Sequence, residues 1–149
     1  ALFGHAGIEW DITEATTEER EALKSWASYY KANRELLHSG RMTRIEHMDD
    51  TAFVHGVVAQ DKSKAIFAYV ALRAMKGTKP AAFRIVGLLP DAKYKVNLVE
   101  PAGTSQYIHQ QLPKWLDGVV LTGATLERVG LRPPILAPEN AILIEVERL

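Results

Sequence analysis

Phe53-Val54-His55-Gly56-Val57-Val58-Ala59-Gln60-Asp61-Lys62-Ser63-Lys64-Ala65-Ile66-Phe67-Ala68-Tyr69-Val70-Ala71-Leu72 reads as two apolar runs parted by a short polar stretch. Aromatic and β-branched residues suit a pleated, half-buried surface, and Gln60-Asp61-Lys62-Ser63 carries turn chemistry. A connection this short allows an antiparallel hairpin, whereas parallel pairing needs a crossover of roughly a dozen residues. Working outward, further extended runs lie at 42–47, 83–86 and 94–99, separated by Asp49-Asp50, by 75–80 and by Leu89-Pro90-Asp91. No helix of about ten residues fits between them, so the spacing predicts an antiparallel sheet. Beyond it, 101–113 reads as a long loop and 119–121 and 141–146 as strands, while Pro133-Pro134 forbids a central strand between those two.

Upstream of Gly40 the periodicity is helical. Thr16 stands three residues before Glu19, the spacing at which a hydroxyl and a carboxylate reciprocally satisfy the open amides of a helix start. Leu23, Trp26, Ala27, Tyr30 and Leu37 then share one stripe that wants a packing partner. Arg34 and His38 suit the negative end of the helix dipole, and Gly40 is expected to close the helix as a left-handed cap near Ser39. Before the helix, Ile8, Trp10 and Ile12 alternate, so 7–12 is expected as a strand or strand exit. The switch at Gly40 therefore divides a strand-plus-helix unit from an all-β region. One strand and one helix leave both sheet faces uncovered, which implies a parent sheet outside this sequence.

Composition bounds the rest. The 149 residues suffice for one ordinary core, and no apolar run approaches the roughly 18 residues of a membrane span. Eighteen basic residues balance eighteen acidic ones, so no broad field exists to gather nucleic-acid phosphates or anionic lipid. Nucleic acid and membrane are not expected as partners. Cysteine is absent, which removes disulfides, thiolate metal sites and cysteine nucleophiles and fits the cytoplasm. The opening at Ala1, with neither a basic start nor a long apolar stretch, is expected to reflect something removed upstream rather than a secretion signal.

Leu2-Phe3-Gly4-His5-Ala6-Gly7-Ile8-Glu9-Trp10-Asp11-Ile12 resembles the last barrel strand region of glycoside hydrolase family 36, with its Phe-Gly-His-x-Gly-Ile-Glu-Trp-Asp pattern. The likeness continues through Tyr30-Lys31, Leu36-Leu37-His38-Ser39-Gly40-Arg41, His55-Gly56-Val57-Val58-Ala59 and Ala65-Ile66-Phe67-Ala68. It returns in Phe83-Arg84-Ile85-x-Gly87-Leu88-x-Pro90-Asp91-x-x-Tyr94-x-Val96, in Gly123-Ala124-x-Leu126-x-x-x-Gly130-Leu131 and in Pro138-Glu139-x-Ala141. It is weakest over 71–82 and 101–116.

The resemblance implies the C-terminal piece of a retaining α-galactosidase, an enzyme hydrolysing terminal α-galactosides in oligosaccharides. The implied fold class is α+β and mainly β. Residues 1–40 would be a partial remnant, the last strand and helix, of a (β/α)8 catalytic barrel, and 41–149 a C-terminal antiparallel β-sandwich. The family's nucleophile is the aspartate of a Lys-Trp-Asp motif and its acid/base an aspartate of Ser-Asp-x-x-Asp. Here Lys114-Trp115 is followed by Leu116 and no Ser-Asp pair occurs, so no catalytic residue is carried over to this chain. Both aspartates are expected upstream, and the isolated chain is expected to be inactive. The implied partners are the remainder of the barrel, an α-galactoside in the intact enzyme and another copy in a homo-oligomer; no cofactor is implied.

Glu9 and Asp11, two apart on a strand, would point to one side at about 6.5–7 Å, within reach of a carboxylate pair. The plainer reading is structural: Asp11 fixes the strand-to-helix loop, and Gly4 and Gly7 serve tight backbone turns. His5 and Glu9 remain candidates for substrate binding, because barrel active sites sit at the C-terminal ends of strands. The histidines His5, His38, His47, His55 and His109 show no metal-ligand spacing. Trp26, Tyr29 and Tyr30 could stack on a sugar, but Trp26 and Tyr30 lie on the apolar stripe and are expected in a core. Phe53, Phe67, Tyr69 and Phe83 are expected in the sandwich core, and Trp115 as a loop anchor more than a sugar platform. Three functions follow: a structural domain of a glycosidase, a carbohydrate-binding module, or an oligomerisation element.

Overall fold

A computed structural model describes residues 2–46, 50–77, 79–103, 105–108 and 111–149. Its sheet is built as the alternation of residues requires. Strands β1 (Arg41–Ile45), β2 (Ala52–Val58), β3 (Lys64–Ala71), β4 (Lys93–Val99), β5 (Val119–Thr122) and β6 (Ala141–Arg148) form one antiparallel sheet in the order β1-β2-β3-β6-β4-β5. The β2–β3 hairpin turns on Asp61, whose carboxylate accepts from the Ser63 amide at 2.9 Å and its hydroxyl at 2.7 Å, with Lys62 at φ 59°. Residue 47 of the expected first strand, Asp49 of the first turn, and residues 78, 104, 109 and 110 lie outside the described residues.

One face of the sheet carries the main core. Val54 and Val58, Ala65, Phe67 and Tyr69, Ile142, Ile144 and Val146, and Tyr94 and Val96 all point to it and are buried. The Tyr94 hydroxyl is fully satisfied there: it donates to the Lys62 carbonyl and accepts from the Leu89 amide, each at 3.0 Å. Phe83, Ile85, Leu88, Leu126, Leu131 and Leu136 cover this face.

That covering layer corrects the expected sandwich. Among the described residues it is no second sheet but irregular chain, with a short helix α2 (Gly123–Arg128) and single antiparallel bridges at Phe83–Leu131 and Tyr107–Leu136. The run at 83–86 thus shrinks to one bridge. Phe83 and Leu131 exchange both amide bonds at 2.9 Å, but the Ile85 amide turns instead to the Leu126 carbonyl of α2. Gly130, at φ 74°, brings its backbone so close that a Cβ would stand 2.2 Å from the Phe83 carbonyl oxygen. Pro133 and Pro134 then supply no donor to prolong a ladder.

The other face of the sheet receives helix α1 (Thr17–Ser39). Both expected capping bonds are present: the Glu19 amide donates to the Thr16 hydroxyl at 3.2 Å, and the Thr16 amide to the Glu19 carboxylate at 2.8 Å. Leu37 packs on Val57 of β2 and Ile66 of β3, with Tyr29, Tyr30 and Leu36 around them. Gly40 ends the helix as expected, yet its φ of −71° is extended and not left-handed. The glycine is needed for proximity: a Cβ would lie 2.5 Å from Val57 Cγ2 and 2.6 Å from the Leu36 carbonyl oxygen.

The expected strand at 7–12 is absent, and those residues are exposed coil. A strand is held by exchanging amide bonds with a neighbour, and no described segment pairs with this one. No helix among the described residues is long and apolar enough to cross a membrane.

Candidate functional site: the N-terminal segment and the open face of α1

The segment before α1 is fastened at its start. Leu2 and Phe3 pack with the Leu37–Val57–Ile66 cluster, and the Phe3 ring meets His55 of β2 edge-on. His55 is also stacked on Phe53 at 4.9 Å, with the Arg44 guanidinium 4.9 Å above the Phe53 ring. Phe53 therefore lies on the helix side of the sheet and not in the expected core, since strand alternation groups it with His55 and Val57. Phe67, Tyr69 and Phe83 are in the core as expected. Burial holds the His55 imidazole below the ordinary histidine value, and its buried Nδ1 has no hydrogen-bond partner.

The candidate binding residues sit near this anchor without forming a pocket. The His5 ring is exposed and lies edge-on to His38, centroids 5.0 Å apart. Tyr30 joins the two elements: its hydroxyl lies 2.7 Å from His38 Nε2 and 3.3 Å from the Gly4 carbonyl oxygen. Gly4 and Tyr30 are thus tied to each other through this contact. Glu9 is exposed on the coil. Asp11 accepts from the Thr13 hydroxyl at 2.6 Å and amide at 2.9 Å, which lowers its pKa and closes a local turn ahead of α1. Gly7 needs no special room, as a Cβ there would meet nothing within 4 Å.

No described strand aligns Glu9 with Asp11, and the Asp11 carboxylate is hydrogen-bonded within its own turn. Two other carboxylates, Glu46 and Asp50, share an open hollow at the end of β1. Both are exposed, and Lys76 Nζ holds both oxygens of Asp50 at 3.0 Å. No group of three metal-ligating side chains occurs among the described residues; His47 and His109 lie outside them.

What the site offers is apolar surface. Leu2, Ile8, Leu23, Trp26, Ala27 and Tyr30 line an open groove of about 600 Å³ between the segment and α1. Trp26 is half-buried rather than in a core, touching Tyr29 edge-on at 6.4 Å. Ile8, Trp10 and Ile12 are exposed by 53%, 46% and 49%, far above what a finished core leaves out. The helical stripe was legible in sequence; its lack of cover within the chain appears only in three dimensions.

One further arrangement went unread in the sequence. Lys64 of β3 bridges Glu145 at 2.9 Å and Glu147 at 3.0 Å on β6, and the Tyr29 hydroxyl of α1 donates to Glu145 at 3.4 Å. Burial pushes the Tyr29 hydroxyl up and the carboxylates add to it; the same carboxylates outweigh the burial of Lys64 and raise its ammonium. The i, i+2 spacing of the two glutamates was the available signal. Trp115 takes its anchoring role, donating its indole N–H to the Arg132 carbonyl at 2.7 Å while packed on the main core.

Comparison with known proteins places this geometry. Residues 52–144 match the glycosyl hydrolase family 36 C-terminal domain. The α-galactosidase of Escherichia coli is 33% identical over 99% of this chain and 22% of its own length. AgaA of Geobacillus stearothermophilus, also an α-galactosidase, is 28% identical over 64% of the chain and 13% of its own length. The crystal structure of the Lactobacillus brevis α-galactosidase superposes on the whole chain with TM-score 0.80 and 26% identity, using 19% of that protein. The chain thus spans about a fifth of the length of the relatives that match it throughout. It belongs to glycosyl hydrolase family 36, of which it carries the C-terminal domain.

Proposed function

We propose that this chain is the non-catalytic C-terminal portion of a retaining α-galactosidase, in which its sheet braces the end of a catalytic barrel. The observation that carries the reading is the open apolar face of α1, with Leu23, Trp26 and Ala27 bordering a groove and Ile8, Trp10 and Ile12 standing in solvent beside it. Such a face suits the last helix of a (β/α)8 barrel, whose other side is buried on a parallel sheet, and 2–12 suits the strand that precedes it. On this reading 1–40 belongs to the barrel and 41–149 to the supporting domain, and the remainder of the barrel is the principal partner.

Retaining hydrolysis needs two carboxyl groups about 5–5.5 Å apart, one to form the glycosyl–enzyme bond and one to shuttle the proton. The two aspartates lie in the preceding barrel sequence, and His5 and Glu9 approach the α-galactoside only when that barrel is closed. The absence of cysteine fits a cytoplasmic enzyme. The carbohydrate-binding alternative loses its best candidate, since Trp115 is tied to Arg132. Incubating the pure chain with an aryl α-galactoside tests the proposal. No release of the aryl group is expected, and turnover that co-purifies with the chain overturns it.

A further inference from the structure

The sheet ends on β1, which pairs with β2 on one side and with no described strand on the other. Alternate amides and carbonyls of Arg41–Ile45 therefore face outward along about 17 Å of extended backbone. Beside this edge lies a hollow of about 460 Å³ whose charged lining is wholly basic: Arg41, Arg44 and Lys62. No described ion pair engages any of the three. In a chain of zero formal net charge the basic lining of this hollow is a local imbalance, although Arg44 also borders the neighbouring hollow that carries Glu46 and Asp50.

Arg41 lies on the core side of the strand with Thr43 and Ile45, while Arg44 lies on the helix side over Phe53. The two cations are thus three residues apart and on opposite faces. Lys62, held at positive φ at the tip of the β2–β3 hairpin, lines the hollow at the Arg41 end. Like charges on an edge strand discourage pairing with most other strands. A strand with acidic residues in matching positions is the exception, because opposite charges directly across an antiparallel pair attract. A small anion would use one or two of these cations and leave the outward backbone groups unused.

We propose that the free edge of β1 is a docking site for an extended acidic segment of a partner polypeptide, which adds as an antiparallel strand. Two carboxylates three residues apart would face Arg41 and Arg44 from opposite sides of the added strand, and a flanking acid would face Lys62. The recognition element is Asp/Glu-x-x-Asp/Glu in extended conformation.

The test is fluorescence anisotropy of the full chain with a labelled peptide of about eight residues carrying glutamates at that spacing. Saturable binding that weakens with added salt is expected, and exchanging both arginines (Arg41→Glu with Arg44→Glu) should weaken it by at least about tenfold. The same double variant should gain binding to the lysine counterpart of the peptide. An equally charged peptide with prolines at alternate positions cannot supply the amides of a strand and should not bind. Binding of the proline peptide equal to the parent peptide overturns strand addition. Displacement of the peptide by inorganic phosphate or by duplex DNA at equal charge concentration would show a general anion surface and also overturn the proposal, as would indifference to the charge exchange.

Discussion

The ring of Phe3 stands edge-on to that of His55, centroids 4.5 Å apart, so that the first described residues are pinned to the sheet through a histidine already stacked on Phe53. The anchor is dry on one side, and its cost is borne by the imidazole. Burial favours the neutral ring in the folded chain, while the unfolded chain titrates near the ordinary 6.5.

A pH dependence follows. The folded pKa is depressed, so the stabilisation associated with neutral His55 is complete above the unfolded value of 6.5 and is lost as pH falls from there through the folded value. Stability should therefore decline as pH falls below about 6.5, read as a falling urea midpoint. His55→Phe keeps a ring between Phe3 and Phe53 but cannot be protonated, and its midpoint should fall less over the same interval. An equally steep fall in that variant would remove His55 as the cause.

Removing the helix cap should act on stability alone. Thr16→Ala deletes the hydroxyl that accepts from the Glu19 amide, at a cost of about 1 kcal/mol. Denaturant melts of variant and parent should give a lower midpoint at unchanged slope.

Glycines divide by what surrounds them. A Cβ at Gly56 would lie 2.3 Å from Phe67 Cδ1 and 2.5 Å from the Ile66 carbonyl oxygen, so Gly56→Ala should cost about 1–3 kcal/mol. Gly7→Ala, in open space at ordinary φ, should leave the melting curve where it was. Equal losses at both positions would show that the crowding at Gly56 is relieved at no cost.

The Lys64 bridge between Glu145 and Glu147 should be modest and salt-sensitive. These side chains keep exposures of 29%, 16% and 46%, so solvent screens part of the attraction. Lys64→Met, which retains the aliphatic stem, should cost no more than about 1 kcal/mol, with the difference from the parent shrinking in high salt. A difference that persists undiminished in high salt would assign the loss to packing.

Much of this architecture was legible because the deciding features are local. The Thr16–Glu19 pair marks a helix start, Asp61-Lys62-Ser63 marks a hairpin, and the alternation of Ala65, Phe67 and Tyr69 marks an inward face. The misreadings share a cause, which is that the outcome depends on a partner distant in sequence. Residues 7–12 have strand-like composition but no neighbour to bond, and 83–86 lose their ladder to α2 and to a close glycine. Gly40 was assigned the wrong backbone angle because its need for space comes from Val57 across the sheet. At the candidate site, the Asp11–Thr13 turn is local and readable from spacing, whereas the edge-on contact with His55 joins Phe3 to a strand some fifty residues later.

The position of β6 has a consequence for how the chain is made. This strand, latest in sequence, sits between β3 and β4, so neither half of the sheet has its inner flank covered until 141–148 arrives. The β2–β3 hairpin, a local pairing, can close early, whereas the outer flank of β3 gains its neighbour only through a contact some seventy residues distant in sequence, the kind of pairing that slows folding.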